Sequence, residues 1–182
     1  MIGPKFLKVG ARGFMSVSAN DGSFSTPPPI PIVHAETDMI RALQAEFAAV
    51  ERQDKTCCLV IVKPEAAEVG VVAAVGERFS RSLRPYDGLF AFGTGRYLIS
   101  LPHIKLEDTV TVMDRLRGRI ADHPFEVEGK SPILVPASLG GAMIEAALPL
   151  QDNIARANQA LNVALAGGGN RVCIWSSDLD VV

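Results

Sequence analysis

The tetrapeptide Arg84-Pro85-Tyr86-Asp87 places a guanidinium and a carboxylate three residues apart. The planar fork of an arginine can donate two parallel hydrogen bonds to a phosphate or to the O6 and N7 edge of a guanine. A carboxylate can accept hydrogen bonds from the N1–H and N2–H₂ groups of that base. Proline fixes one backbone dihedral and so lowers the entropy lost on binding. The alternative is a surface ion pair, which stabilises a fold by less than about 1 kcal/mol.

The other residue types that often do chemistry show no catalytic spacing. The histidines are scattered, without the spacing of metal ligands or of a nucleophile and its base, and the cysteines lie in apolar runs that predict core thiols. These residues are His34, His103, His123, Cys57, Cys58 and Cys173. The glycines of Gly93-Thr94-Gly95 and Gly167-Gly168-Gly169 predict turns and not phosphate-binding loops.

Length and composition indicate one globular domain. The chain has 182 residues, of which 48% are hydrophobic and 21% are charged, and a formal net charge of −2. A chain with this charge balance has no overall positive field that would attract a polyanion, so nucleic acid is not an expected partner. No apolar run reaches the ~18 residues of a membrane-spanning helix, and no compact signal opens the chain. We therefore expect residence in the cytoplasm.

Hydrophobic periodicity predicts the elements that position these residues. Residues 1–29 are rich in proline and glycine and predict a flexible tail, so that the domain covers residues 30–182. Helices are expected at 37–53, 69–83, 106–121 and 152–166, and strands at 57–62, 88–92, 96–101, 133–135, 139–143 and 171–175. This order predicts an α/β fold, of the α+β sandwich type, with a sheet of about five strands.

Three segments of the chain resemble the GGDEF domain, the diguanylate cyclase fold of bacterial signalling, over about residues 30–176. The turn Gly93-Thr94-Gly95-Arg96-Tyr97 matches the family's Gly-Gly-Asp/Glu-Glu-Phe hairpin. Ser138-Leu139-Gly140-Gly141-Ala142 is similar to its Ser-Ile-Gly-Val-Ala landmark, and residues 157–172 follow the spacing of its closing motif. The resemblance implies a nucleotidyl-cyclase-like fold whose central, mostly antiparallel sheet is flanked by helices.

The same comparison shows where the chain departs from the family pattern. Cyclisation of two GTP molecules is two-metal phosphoryl chemistry, which needs carboxylates to hold the metal. Here Val62-Lys63-Pro64 replaces the aspartate after the first strand, and Gly95 and Arg96 replace the acidic pair of the hairpin. Glu65 is the one nearby carboxylate, and Leu165 replaces a phosphate-binding lysine. We expect a degenerate domain with no catalytic residues, no metal site, no cofactor and no cyclase activity.

One functional element of the family is retained. Many members bind their product, cyclic di-GMP, at an inhibitory Arg-x-x-Asp site five residues before the hairpin motif, and residues 84–87 keep this spacing. A second arginine from the helix after the hairpin commonly completes the site. The resemblance implies Arg84, Asp87 and Arg115 as ligand-binding residues. Further contacts are expected from Tyr86, Arg81 and Arg117.

The resemblance implies a catalytically inactive receptor for cyclic di-GMP that signals to a protein partner. Because the ligand often binds in this family as a stacked pair that bridges two domains, a ligand-bridged homodimer is expected. The alternative is a ligand-independent protein-interaction scaffold in which the fold persists and the arginines are incidental.

Overall fold

The computed structural model describes residues 28–53, 55–65, 69–126 and 131–176. Almost all of the predicted tail, residues 1–29, lies outside the described residues. The elements are β1 (Ile32–Val33), α1 (Glu36–Gln53), β2 (Cys57–Pro64), α2 (Val69–Ser82), β3 (Gly88–Ala91), β4 (Tyr97–Pro102), α3 (Leu106–Ala121), β5 (Ala137–Met143), α4 (Leu150–Ala166) and β6 (Val172–Ile174). No helix in these ranges is both long and apolar enough to cross a bilayer.

The strands form one mixed sheet in the order β1-β3-β4-β2-β5-β6. Strand β2 lies in the middle and pairs antiparallel with β4 and β5, while β3 pairs antiparallel with β4. The two edge strands, β1 and β6, pair parallel with β3 and β5. The predicted α/β fold with a mostly antiparallel sheet is confirmed, and the sheet has six strands where about five were expected.

Two local differences from the sequence prediction have physical causes. Strand β1 has only two residues, too few for an alternating pattern to appear in the sequence. The apolar run 133–135, predicted as a strand, forms only an isolated bridge between Ile133 and Phe125. Pro132 and Pro136 flank this run. Because proline has no backbone N–H, these two residues cannot donate the hydrogen bonds that a longer strand pairing would need.

A hydrophobic core lies on each face of the sheet. Helices α2 and α3 cover one face with residues such as Phe79 and Met113, and α1 and α4 cover the other with Leu43 and Leu161. Strand β2 is buried on both faces, which explains its uninterrupted apolar sequence.

Helix α4 lies directly against strand β5 at Gly140. A Cβ atom at Gly140 would overlap backbone atoms of Leu161 and Ala157, which cannot move without the helix. On the opposite face of the strand, a Cβ at Gly141 would lie 2.6 Å from the sulfur of Met113, a side chain that can adopt another rotamer. Gly140 is therefore needed for the close approach of helix and sheet.

We expect Gly140→Ala to lower the free energy of unfolding by about 3 kcal/mol or more, because backbone cannot yield to the added methyl group. Gly141→Ala is the matched control, with an expected cost of about 1 kcal/mol, since Met113 can repack. Urea denaturation of the two variants measures the difference. Equal losses would contradict the assignment of Gly140 as the point of closest packing.

Candidate ligand-binding site

The segment from Arg84 to Asp87 forms a hydrogen-bonded turn between α2 and β3. The N–H of Asp87 donates to the carbonyl of Arg84 at 2.9 Å. The N–H of Arg84 in turn donates to Oδ2 of Asp87 at 2.7 Å, so the carboxylate closes the turn from its other side. The Arg84 guanidinium donates to the hydroxyl of Tyr86 at 3.1 Å. The carboxylate therefore has a fixed position before any ligand arrives.

A cavity of about 270 Å³ opens beside this turn. Arg84 and Asp87 line it from the turn, and Arg115 lines it from α3. The end of β4 and the residues that follow, including His103, form another wall. The structure thus brings the three main predicted residues to one concave site, although Arg115 follows Asp87 by 28 residues in the chain.

A groove of about 330 Å³ adjoins this cavity, and we call it the arginine groove. Its charged lining residues are Arg81, Arg84, Arg115 and Arg119. No ion pair within 4 Å joins any of these four to a carboxylate in the described part of the chain.

The structure separates the remaining predicted contacts. Tyr86 lines neither the cavity nor the arginine groove; 52% of its surface is exposed, and its ring meets His103 edge to face with centroids 6.2 Å apart. Arg117 points elsewhere: it pairs with Asp114 at 2.7 Å and donates to Oδ1 of Asn170 at 3.1 Å.

Sequence reasoning gave no role to Arg119, which lines the arginine groove. Helical spacing could have identified Arg119, because residues four apart share a face of a helix and residues two apart do not. Arg119 therefore lies on the face of Arg115, and Arg117 does not.

Burial perturbs the acid of the site. It raises the pKa of the Asp87 carboxyl above its ordinary value, while the hydrogen bond from the Arg84 N–H and the charges of Arg84 and Arg115 act in the opposite direction. The net rise shows that the carboxylate is partly removed from water. A partly desolvated acceptor binds an N–H donor more strongly than one in bulk water.

The hairpin turn between β3 and β4 is held by its own residues. Gly93 and Gly95 have φ values of 61° and 68°, a left-handed backbone conformation that residues with a side chain rarely adopt. Arg96 donates to Oδ1 of Asn158 on α4 at 3.3 Å and lies over the ring of Phe92. Tyr97 is buried, and its hydroxyl donates to a carbonyl of α2 at 2.8 Å. The predicted hairpin is confirmed, and the last two motif residues connect it to two helices.

Glu65 lies at the end of β2 and joins distant parts of the chain. Its Oε1 atom accepts from the hydroxyl of Ser138 at 3.1 Å and from the N–H of Asn170 at 3.0 Å. Asn170 is 105 residues away, so no local sequence signal could have shown this contact. Within the described ranges, no group of three or more histidine, cysteine, aspartate or glutamate side chains is placed to hold a metal ion.

The fold and the site define a class of protein. The family described as "Diguanylate cyclase, GGDEF domain" matches residues 70–171, more than half of the chain. The chain belongs to the GGDEF-domain family.

Curated relatives of the chain include the diguanylate cyclase DosC of Escherichia coli K12. It is 26% identical over 109 residues, which cover 60% of this chain and 24% of DosC. The match therefore spans about a quarter of the length of that relative.

Solved structures show the same fold. The GGDEF domain of DgcB from Caulobacter crescentus, crystallised in complex with c-di-GMP, is similar with a TM-score of 0.73 and 17% identity, covering 81% of this chain and 94% of that one. The diguanylate cyclase SiaD from Pseudomonas aeruginosa, crystallised with its activator SiaC, is similar with a TM-score of 0.71 and 20% identity, covering 80% and 58%.

The raised pKa of Asp87 sets the sign of a pH effect on stability. Between the ordinary and the raised pKa the unfolded chain ionises first, so Asp87 lowers the free energy of unfolding as pH rises through this window. We expect the stability of wild type relative to Asp87→Asn to fall as pH rises above the ordinary pKa of an aspartate, about 4. Urea denaturation at four pH values measures this difference. A constant difference, or a rise, would contradict it.

Proposed function

We propose that this GGDEF-domain protein is a receptor for cyclic di-GMP that binds its ligand through Arg84, Asp87 and Arg115 and has no diguanylate cyclase activity. The observation that carries the proposal is the convergence of these three side chains on one cavity of about 270 Å³. Asp108 also lines the cavity. The two guanidinium groups of the cavity and the preset Asp87 carboxylate suit a ligand that combines phosphates with guanine edges.

Each residue has a defined part in this binding. Arg84 and Arg115 donate paired hydrogen bonds to a phosphate or to the O6 and N7 edge of a guanine. Asp87 accepts from the guanine N1–H and N2–H₂ groups, and its position is set by the Arg84 N–H at 2.7 Å. Arg81 and Arg119 extend the positive field along the arginine groove. Because the Asp87 carboxylate is already held by the Arg84 N–H, this acceptor needs little ordering on binding.

Three observations support the absence of cyclase activity. The hairpin carries Gly95 and Arg96 where two-metal chemistry needs acids, and Arg96 bonds to Asn158. Strand β2 ends in Lys63 and Pro64. Glu65 already accepts two hydrogen bonds from protein groups. The donor set on this side of the sheet does not fit a pair of divalent metal ions.

The bound state is proposed to act on a protein partner. A ligand that fills the cavity covers the surface between the 84–87 turn and α3, and so changes what a partner meets there. A stacked pair of ligands held by two copies of the arginine groove would give a ligand-bridged homodimer, which light scattering at saturating ligand detects.

Calorimetric titration with cyclic di-GMP tests the receptor. We expect binding by wild type and a loss of at least about tenfold in affinity for Arg84→Ala, because a charge-assisted hydrogen bond contributes about 1.5–3 kcal/mol. Arg41→Ala is the matched control, since Arg41 is exposed and pairs with Asp38. A ligand at 100 times its Kd would also stabilise wild type by about 2.7 kcal/mol. No binding and no shift in Tm would favour the alternative function, a protein-interaction scaffold that binds no ligand.

A separate assay tests the lack of catalysis. Purified protein with GTP and magnesium is expected to form no cyclic di-GMP above a blank, measured by chromatography. Turnover that disappears in Glu65→Gln would contradict this and would restore Glu65 as a metal ligand.

A further inference from the structure

A second cavity, of about 220 Å³, lies next to the first. It lies between α1 and the segment that leads into β2, and it shares Pro102 and His103 with the first cavity. Its polar lining residues are Glu46, Lys55, Thr56, Tyr86 and His103. The proposed receptor function assigns no role to this cavity.

His103 separates the two cavities in a fixed conformation. Its φ of 59° is left-handed, a region that histidine and asparagine enter more readily than most residues. The His103 N–H donates to the carbonyl of Thr56 at 2.8 Å, and the Thr56 hydroxyl donates to the carbonyl of Ile104. The segment after β4 is thus tied to the segment before β2. The imidazole and the ring of Tyr86 meet edge to face at an interplanar angle of 77°, so their faces point in different directions.

The second cavity repeats the chemistry of the first. Each combines acidic and basic side chains: the first is lined by Asp87 and Asp108 with Arg84 and Arg115, and the second by Glu46 with Lys55. Glu46 is half-buried on α1. A purine stacks on aromatic rings, and a guanine in addition presents N–H donors to a carboxylate. An ammonium group attracts the phosphate of the same nucleotide.

We propose that this second cavity is a purine subsite that holds the second base of the cyclic dinucleotide. The base stacks on the imidazole of His103 with the ring of Tyr86 at its edge, Glu46 accepts from its N–H groups, and Lys55 attracts the adjoining phosphate. This inference rests on the proposed receptor function, since it needs the first base to occupy the cavity of Arg84 and Asp87.

Titration with cyclic di-GMP tests the subsite with two conservative variants. His103→Asn removes the ring but tolerates the left-handed backbone, and Glu46→Gln removes the charge but keeps the shape. We expect each to weaken binding about tenfold, within the range for loss of one base–aromatic stack or one charged acceptor. The matched controls are His123→Asn and Glu51→Gln, which line neither cavity and should bind as wild type does.

A mixed ligand separates recognition from a merely structural effect. In cyclic GMP–AMP the adenine carries an acceptor where guanine has N1–H, so Glu46 gains nothing from it. We expect Glu46→Gln to reduce the preference for cyclic di-GMP over cyclic GMP–AMP about tenfold, whereas a distorted site would weaken both ligands equally.

The outcomes of these titrations are distinct. Wild-type binding that is lost in Arg84→Ala but unchanged in both subsite variants would overturn the subsite and leave the receptor standing. Equal weakening of both ligands in Glu46→Gln would also overturn it. Absence of binding by wild type would overturn the receptor function and the subsite with it.

Discussion

The contact between helix α4 and strand β5 at Gly140 is the constraint on which the rest of the fold depends. The helix rests on the strand so closely that a single methyl group would overlap its backbone. Strand β5 pairs with the central strand β2, and β2 pairs with β4, so the position of α4 is transmitted through the middle of the sheet. The second core, which includes Leu43 and Leu161, forms only because this helix comes so near.

Short connections link the buried strands to the candidate site. Strand β4 ends at Pro102, and His103 follows immediately with its N–H bonded to Thr56 at the start of β2. Helix α3 begins three residues later, which brings Arg115 over the 84–87 turn. The site therefore combines a loop between two elements with the exposed face of a packed helix, a common arrangement for binding residues on a rigid scaffold.

Much of the fold could be predicted from the sequence because most elements have strong periodic patterns. Helix α3 was expected at 106–121 and has those bounds, and strand β2 was recognised from its apolar run. The strand β1 was not predicted because two residues are too few to show a pattern. The run 133–135 was wrongly predicted as a strand because the flanking prolines lack the backbone N–H groups that a longer ladder needs. The Glu65–Asn170 contact depends on tertiary structure alone. For the site, the resemblance to the family pointed to residues 84–87 as a binding motif, whereas the turn that they form and the position of His103 required the structure.

The Asp87 carboxylate holds the backbone of Arg84 as well as facing the cavity, and this dual duty bears on how such domains evolve. Selection for a stable turn alone is enough to keep an aspartate or a similar acceptor at this position. The short motif can therefore outlast the ability to sense a nucleotide, and the arginine on the neighbouring helix, which has no such local duty, is the residue whose loss would record that change first. Retention of both Asp87 and Arg115 therefore indicates selection for more than the stability of the turn.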